Sequence, residues 1–291
     1  MMRYAELYKR FGTQVEIMNN ILWKEYNGMI VPVGPSKLNY SISKEEARFL
    51  LSKMKKGLLV RFTEGFSNEN CKEWYAVICD RFVEYTELPN RENRKFIKGF
   101  RNCNVQKVEA KYIAEHGYPV LISAINRYRG LRKNITEGDF RKRILITEDF
   151  DDIVHYWGVF HNNMLVGYSI LYIYDNIEAD TDKTIINPVF LKLNASYALK
   201  YSTIKYYLKD NSFENILSGY RTILHKTESQ NFLIRHFNYK KAYSKLNVVY
   251  SPYLHAYLSI TFPIRNLLGK INPKLEALYK LEEIRRKETH E

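Results

Sequence analysis

Apolar positions along this chain follow two spacings, alternation and a repeat of three to four, and the two change places many times. Met29–Val33 is a short apolar run closed by Pro-Val-Gly-Pro, which predicts a strand and a turn. Ser43-Lys-Glu-Glu places a serine three residues before a glutamate, the pattern of a capping box. Ala47, Leu50, Leu51 and Met54 then line one helix face that Gly57 stops. Leu58–Phe62 and Trp74–Ile78 read as buried strands, and Asn90–Asn102 as a basic helix with Phe96 and Phe100 on one side. Val105–Val108 is a strand, and Lys111–Arg129 a helix with a break or kink at Gly117-Tyr-Pro119. Thr136-Glu-Gly-Asp-Phe140 starts another helix toward Asp149. Tyr156–Phe160 and Met164–Tyr174 form a hairpin, because Asn162-Asn163 accepts the positive φ angles of a tight turn. Lys183–Ile186 pairs with its second strand. Leu191–Leu208 has helical spacing, Asn215–Tyr220 is a strand, Thr227–Phe237 a helix, and Ala242–Tyr250 one last strand. The tail, 255–291, holds two helical stretches split at Asn272-Pro273.

This alternation makes an α/β chain of 291 residues, enough for one large domain or two modest ones. Charge changes the picture more than composition does. The net charge is +13, with three stretches of net +5 at Arg91–Lys111, Arg127–Arg143 and Tyr220–Lys245. Ile144–Asp182 carries eight acids and no Lys or Arg. Such a dipolar chain suits an anionic partner, although solvated basic surface reads equally well. Coenzyme A, tRNA, a nucleotide-sugar or an anionic lipid head-group would each satisfy the first reading. No apolar stretch approaches the roughly 20 residues of a membrane span, so no transmembrane segment is expected. The first residues lack a signal-peptide core, and Cys71, Cys79 and Cys103 show no CxxC spacing. A cytoplasmic protein with reduced thiols is the expectation, with membrane-peripheral attachment through the tail as its variant. No HxxxH or HExxH occurs, and no metal is expected.

Three stretches carry a resemblance. Arg94-Lys-Phe-Ile-Lys-Gly-Phe-Arg-Asn-Cys-Asn-Val105, Tyr156-Trp-Gly-Val-Phe160 through Gly167-Tyr-Ser-Ile-Leu171, and Asn231-Phe-Leu-Ile-Arg-His-Phe-Asn-Tyr239 resemble the GNAT superfamily. Within it they are most similar to Fem-type aminoacyltransferases and related acyltransferase domains of polysaccharide gene clusters. The resemblance implies a GNAT-like mixed central sheet flanked by helices, preceded by a degenerate second GNAT-like unit. It divides the chain into 1–103, a catalytic domain at 104–254, and a helical tail at 255–291. It implies an acyltransferase moving an acyl or aminoacyl group from acyl-CoA or aminoacyl-tRNA to an amine or hydroxyl, such as a cell-envelope or sugar precursor. Two departures stand out. The family's glycine-rich donor loop corresponds here to Asn187–Asn194, which has no glycine. The usual tyrosine acid falls near Ile234, and the closing glycine is Asn238.

The densest polar cluster at a strand end runs from Ser218, Tyr220 and Arg221 to His225, Lys226 and Ser229. Arg221 and Lys226 suit an anion, His225 a proton shuttle, and Ser218, Tyr220 and Ser229 polar contacts to substrate. A capped helix with surface cations accounts for the same residues. Glu178 and Asp180, with Asp182, supply candidate bases, or a solvated acidic loop tip. Arg94 and Lys98 on the basic helix are further anion contacts. The rival function is a polyanion-binding module, for tRNA or RNA, on an inactive GNAT scaffold, which the missing glycine loop and tyrosine favour. In the tail, Tyr257–Phe262 and Arg265–Ile271 mix apolar and basic residues as membrane-surface helices do, although docking on its own domain is an alternative.

Overall fold

A two-residue turn with positive φ at both positions matches the twist of antiparallel strands, and asparagine tolerates it. The computed structural model, which describes residues 1–68, 70–127, 135–223 and 228–289, uses such turns at Asn19-Asn20, Asn27-Gly28 and Asn162-Asn163. The chain forms two units. The first comprises the described residues of Met1–Val77, Tyr220–Ser229 and Lys241–Glu291, the second those of Ile78–Gly219 and Gln230–Lys240.

In the first unit, α1 (Met2–Arg10) precedes the meander β1 (Val15–Met18), β2 (Ile21–Tyr26) and β3 (Met29–Val33). The sequence reading has no element before Met29. The expected capping box forms at Ser43 and Glu46, and α2 (Lys44–Lys53) crosses to β4 (Leu59–Glu64), parallel to β3. Ala47, Leu50 and Met54 of that helix region pack with Trp23, Ile30, Val60 and Phe62 of the sheet.

The chain passes into the second unit within β5 (Tyr75–Cys79). The basic helix α3 (Asn90–Asn102) has its expected bounds, and β6 (Asn104–Val108) follows. Then come α4 (Ala110–Arg127) and α5 (Glu137–Leu145). No break occurs at Gly117-Tyr-Pro119: α4 runs through Pro119. A proline costs an interior helix about 3 kcal/mol, and buried residues on both sides of it, Ile113, Ala114, Val120 and Ala124, outweigh that. The predicted hairpin is β7 (Val154–His161) with β8 (Met164–Tyr174), and β9 (Glu178–Ile186) lies antiparallel beyond it. The predicted helix from Leu191 divides into a 3-10 segment (Pro188–Leu193), α6 (Ala195–Ile204) and a π-helical turn (Lys205–Asp210). Pro188 fixes the tighter start, and Asn194, at φ 60°, reorients the chain before α6. β10 (Asn215–Tyr220) and α7 (Glu228–His236) complete the order, and the strands run β10-β9-β8-β7-β6.

The single strand expected over Ala242–Tyr250 is two, β11 (Lys240–Tyr243) and β12 (Lys245–Tyr250), parted at buried Ser244. β12 pairs antiparallel with β4, so the first unit's sheet is ordered β1-β2-β3-β4-β12. The tail gives α8 (Pro252–Thr261), α9 (Arg265–Ile271) and α10 (Pro273–Thr289), divided as expected at Asn272-Pro273. Leu258, Tyr279, Leu281 and Ile284 of the tail pack with Leu246, Val248 and Tyr250 of β12. The fold is thus mixed α/β, with two mixed sheets flanked by helices.

Candidate functional site

β9 is bonded to β8 along its length, from Glu178 opposite Tyr174 to Ile186 opposite Gly167. Its parallel partner β10 matches it only at Asn215–Leu217 against Glu178–Asp180. Beyond Asp180 the two strands part, and six residues of β9, Thr181–Ile186, have an edge that no described strand covers. Two local features separate them. The β8–β9 register shifts at Ile170/Leu171, and a bulge of this kind bends a strand and increases its twist. On β10, Gly219 takes φ 77°, a conformation that side chains disfavour, just past the last pair.

The base of the opening holds buried polar groups. Glu178 is fully buried, and its Oε2 accepts from Asn215 Nδ2 at 2.5 Å. Asn215 Oδ1 has no hydrogen-bond partner among the described residues, and neither does Thr181 Oγ1, the first side chain past the last pair. An unsatisfied buried polar atom costs about 1–3 kcal/mol, so such atoms at an opening mark where a ligand's donors would be welcome. Alternation places Asp180 on the same face of β9 as Glu178, beside Tyr172 of β8.

At the far end of β9, Asn187 Oδ1 accepts from Val189 N at 3.1 Å and from Ser123 Oγ at 3.0 Å, which fixes the 3-10 segment. Asn194 supplies the left-handed conformation for which a glycine is otherwise used, and its Nδ2 donates to Lys95 O at 3.1 Å. The segment ends at the N-terminus of α6, whose exposed neighbour Lys192 adds positive charge to the helix dipole. On α6, Lys200 is buried, and burial pulls its ammonium down to about 8.

The sequence-predicted residues fall into separate places. In the second unit, Glu178, Asp180 and Ser218 lie on the paired strands β9 and β10, and Ser218 O accepts a long bond from Gln230 Nε2 at 3.5 Å. Arg94 and Lys98 are exposed one turn apart on α3. In the first unit, the Tyr220 ring stacks on Trp74 with centroids 6.2 Å apart. Arg221 donates from Nη1 to the backbone oxygen and, at 2.8 Å, to the carboxylate of Glu73. Arg221 and Lys287 beside it hold the Glu73 carboxyl below its ordinary range. Ser229 is exposed in the first turn of α7. His225 and Lys226 lie outside the described residues. Asn238, the stand-in for the closing glycine, has φ 57°.

Asn215, Thr181 and Asn194 were missed by the sequence reading. An asparagine opening the apolar run Ile216-Leu217 is the one local signal that pointed to the first. Among the described residues no group of three or more His, Cys, Asp or Glu is placed to hold a metal. Cys79 and Cys103 are buried, and burial pushes the Cys79 thiol up to about 12.

Four antiparallel strands, β6 to β9, joined at the base only to a parallel β10, with α4 and α5 after the first strand and α6 between the last two, make this a GNAT-type fold. Among solved structures, the crystal structure of FemX matches 89% of this chain and 93% of its own, with TM-score 0.57 and 9% identity. L-PGS from Bacillus licheniformis matches 88% of this chain and 90% of its own, with TM-score 0.54 and 10% identity. At such identities the likeness is one of fold. No protein-family model matches this chain, and no curated protein matches it in sequence.

Proposed function

We propose that this chain is an acyltransferase that receives its donor in the opening between β9 and β10. The observation that carries the reading is the uncovered edge of Thr181–Ile186 with the unpartnered Asn215 Oδ1 and Thr181 Oγ1 at its base. An extended, amide-bearing arm, such as the acyl arm of coenzyme A or an aminoacyl ester on tRNA, can bond to a strand edge as a further strand does. Its anionic end then meets the N-terminus of α6 and Lys192, where Asn194 replaces the missing glycine. Positioning supplies most of the catalysis, and Asp180, at the point where the strands part, takes the proton of the attacking amine or hydroxyl. Glu178, buried against Asn215, holds the base of the opening in place. An acceptor from a cell-envelope or sugar precursor fits the same reading.

A thermal-shift series with acyl-CoAs, aminoacyl-tRNA mimics and nucleotide-sugars tests it, since a ligand that binds only the folded state raises Tm. One donor is expected to raise Tm, and Asp180→Asn is expected to lower kcat about 100-fold with KM little changed. No shift with any donor would overturn the reading. The exposed cations Arg94, Lys98 and Arg101 on α3 favour the rival, a polyanion-binding scaffold. In that case RNA binds instead, with an affinity that falls steeply with salt.

A further inference from the structure

Residues 252–271 are helical except for a 3-10 turn at Phe262–Ile264, and their apolar side chains fall into two rows. Leu254, Leu258, Phe262 and Leu268 pack on the core that β12 shares with α10. The neighbouring row, Tyr253, Tyr257, Ile260, Ile264, Leu267 and Ile271, recurs at intervals of four and three and is between 38% and 91% exposed. A row of six large apolar side chains left in water at regular spacing marks an interaction surface rather than scattered exposure.

Charge selects what covers it. No Asp or Glu occurs between Ser229 and Leu275, while His255, Arg265, Lys270 and Lys274 lie along or just beyond the row. Arg265 Nε is paired with Glu283 Oε1 at 2.5 Å, whereas Lys270 and Lys274 are exposed. The four-three spacing also suits a coiled coil with a second copy. Such a contact, however, would set lysines against lysines, while the acids beside the row, Glu276 and Glu283, already pair with Lys280 and Arg265. Pro263 and the 3-10 turn also interrupt the regular seam that a coiled coil requires. A basic, acid-free helical segment with exposed tyrosines and aliphatic side chains instead complements an anionic bilayer surface.

We infer that α8 and α9 dock this protein on anionic phospholipid, with Tyr253, Tyr257, Ile260, Ile264, Leu267 and Ile271 entering the head-group region and Lys270 and Lys274 facing the lipid phosphates. The inference does not depend on the proposed acyl transfer.

Co-sedimentation of the full chain with vesicles of phosphatidylglycerol and phosphatidylcholine in equal parts, and of phosphatidylcholine alone, tests it. Binding is expected to the anionic vesicles, weakened by salt. Ile260→Ser with Leu267→Ser should weaken it at least tenfold, with Tm unchanged because both side chains are exposed. Lys270→Gln and Lys274→Gln should each weaken it about fivefold. Absence of binding, equal binding to neutral vesicles, or binding indifferent to the Ile260 and Leu267 changes would overturn the inference. So would a dimer in sedimentation velocity that Leu267→Ser dissociates, in a chain that binds no vesicle.

Discussion

His155 on β7 shows how burial decides the chemistry of a single side chain. Its Nδ1 lies 2.8 Å from the Tyr207 hydroxyl, which also accepts from Trp157 Nε1 at 3.1 Å. Burial, helped by the Lys107 charge, pulls the imidazole down to about 4, so the folded state holds it neutral. An unfolded histidine takes its proton near pH 6.5. Between pH 6.5 and 4 the unfolded chain therefore binds more protons, and stability falls as pH falls. The expected loss is about 2 kcal/mol once partial exposure is allowed for. Urea unfolding at pH 7, 5.5 and 4.5 should show a smaller loss in His155→Gln than in the parent, and equal losses would assign the acid sensitivity to other groups. The sequence offered no sign of this role, because the partner Tyr207 stands 52 residues along the chain, in the π-helical turn after α6, and only the fold brings it to β7. Arg221 is similar: the sequence marked it for an anion, and its guanidinium meets the Glu73 carboxylate, 148 residues distant.

Among the elements, those with local signals were legible. The Ser43–Glu46 box, the Asn162-Asn163 turn and the bounds of α3 depend on residues within a few positions of one another, and they formed as read. The corner between β11 and β12 did not show, since apolar alternation continues through Ala242–Tyr250 and only the vacant edge of β4 decides where the chain turns off. The opening between β9 and β10 was equally silent, because it arises from a pairing that stops. The crossing of α3 and α6 is tight for a reason that the sequence does state, a glycine inside the helix. A Cβ at Gly99 would stand 2.9 Å from Asn194 O and 3.2 Å from Ala198 N. Gly99→Ala improves helix propensity by about 1 kcal/mol, yet the backbone atoms opposite cannot swing aside. A net destabilisation of about 2 kcal/mol is expected, read as a lower Tm. A Tm that rises would show that the helices separate freely.

For the whole molecule, the order of the chain and the order of its sheets differ. β4 has β3 on one side and β12 on the other, and about 180 residues of chain lie between β4 and β12. A chain ending at Ser244 would lose β12 together with Leu258, Tyr279, Leu281 and Ile284, and of the buried residues of that core in the first unit only Leu59 and Trp74 would remain. It is expected to leave residues 1–77 open to limited proteolysis while the β6–β10 region stays protected, as mapped by mass spectrometry of the fragments. Equal protection of both would mean that the first sheet closes without β12.

The same late pairing bears on synthesis. As the chain leaves the ribosome, the β4 edge emerges about 180 residues before its neighbour β12. Until β12 is made that edge has no mate, the circumstance in which nascent strands recruit chaperones or one another. The second unit, by contrast, has β6 to β10 in hand once Gly219 has emerged. Folding is therefore expected to begin in the second unit, and the sheet of the first unit, although β1 to β4 are made earlier, settles later.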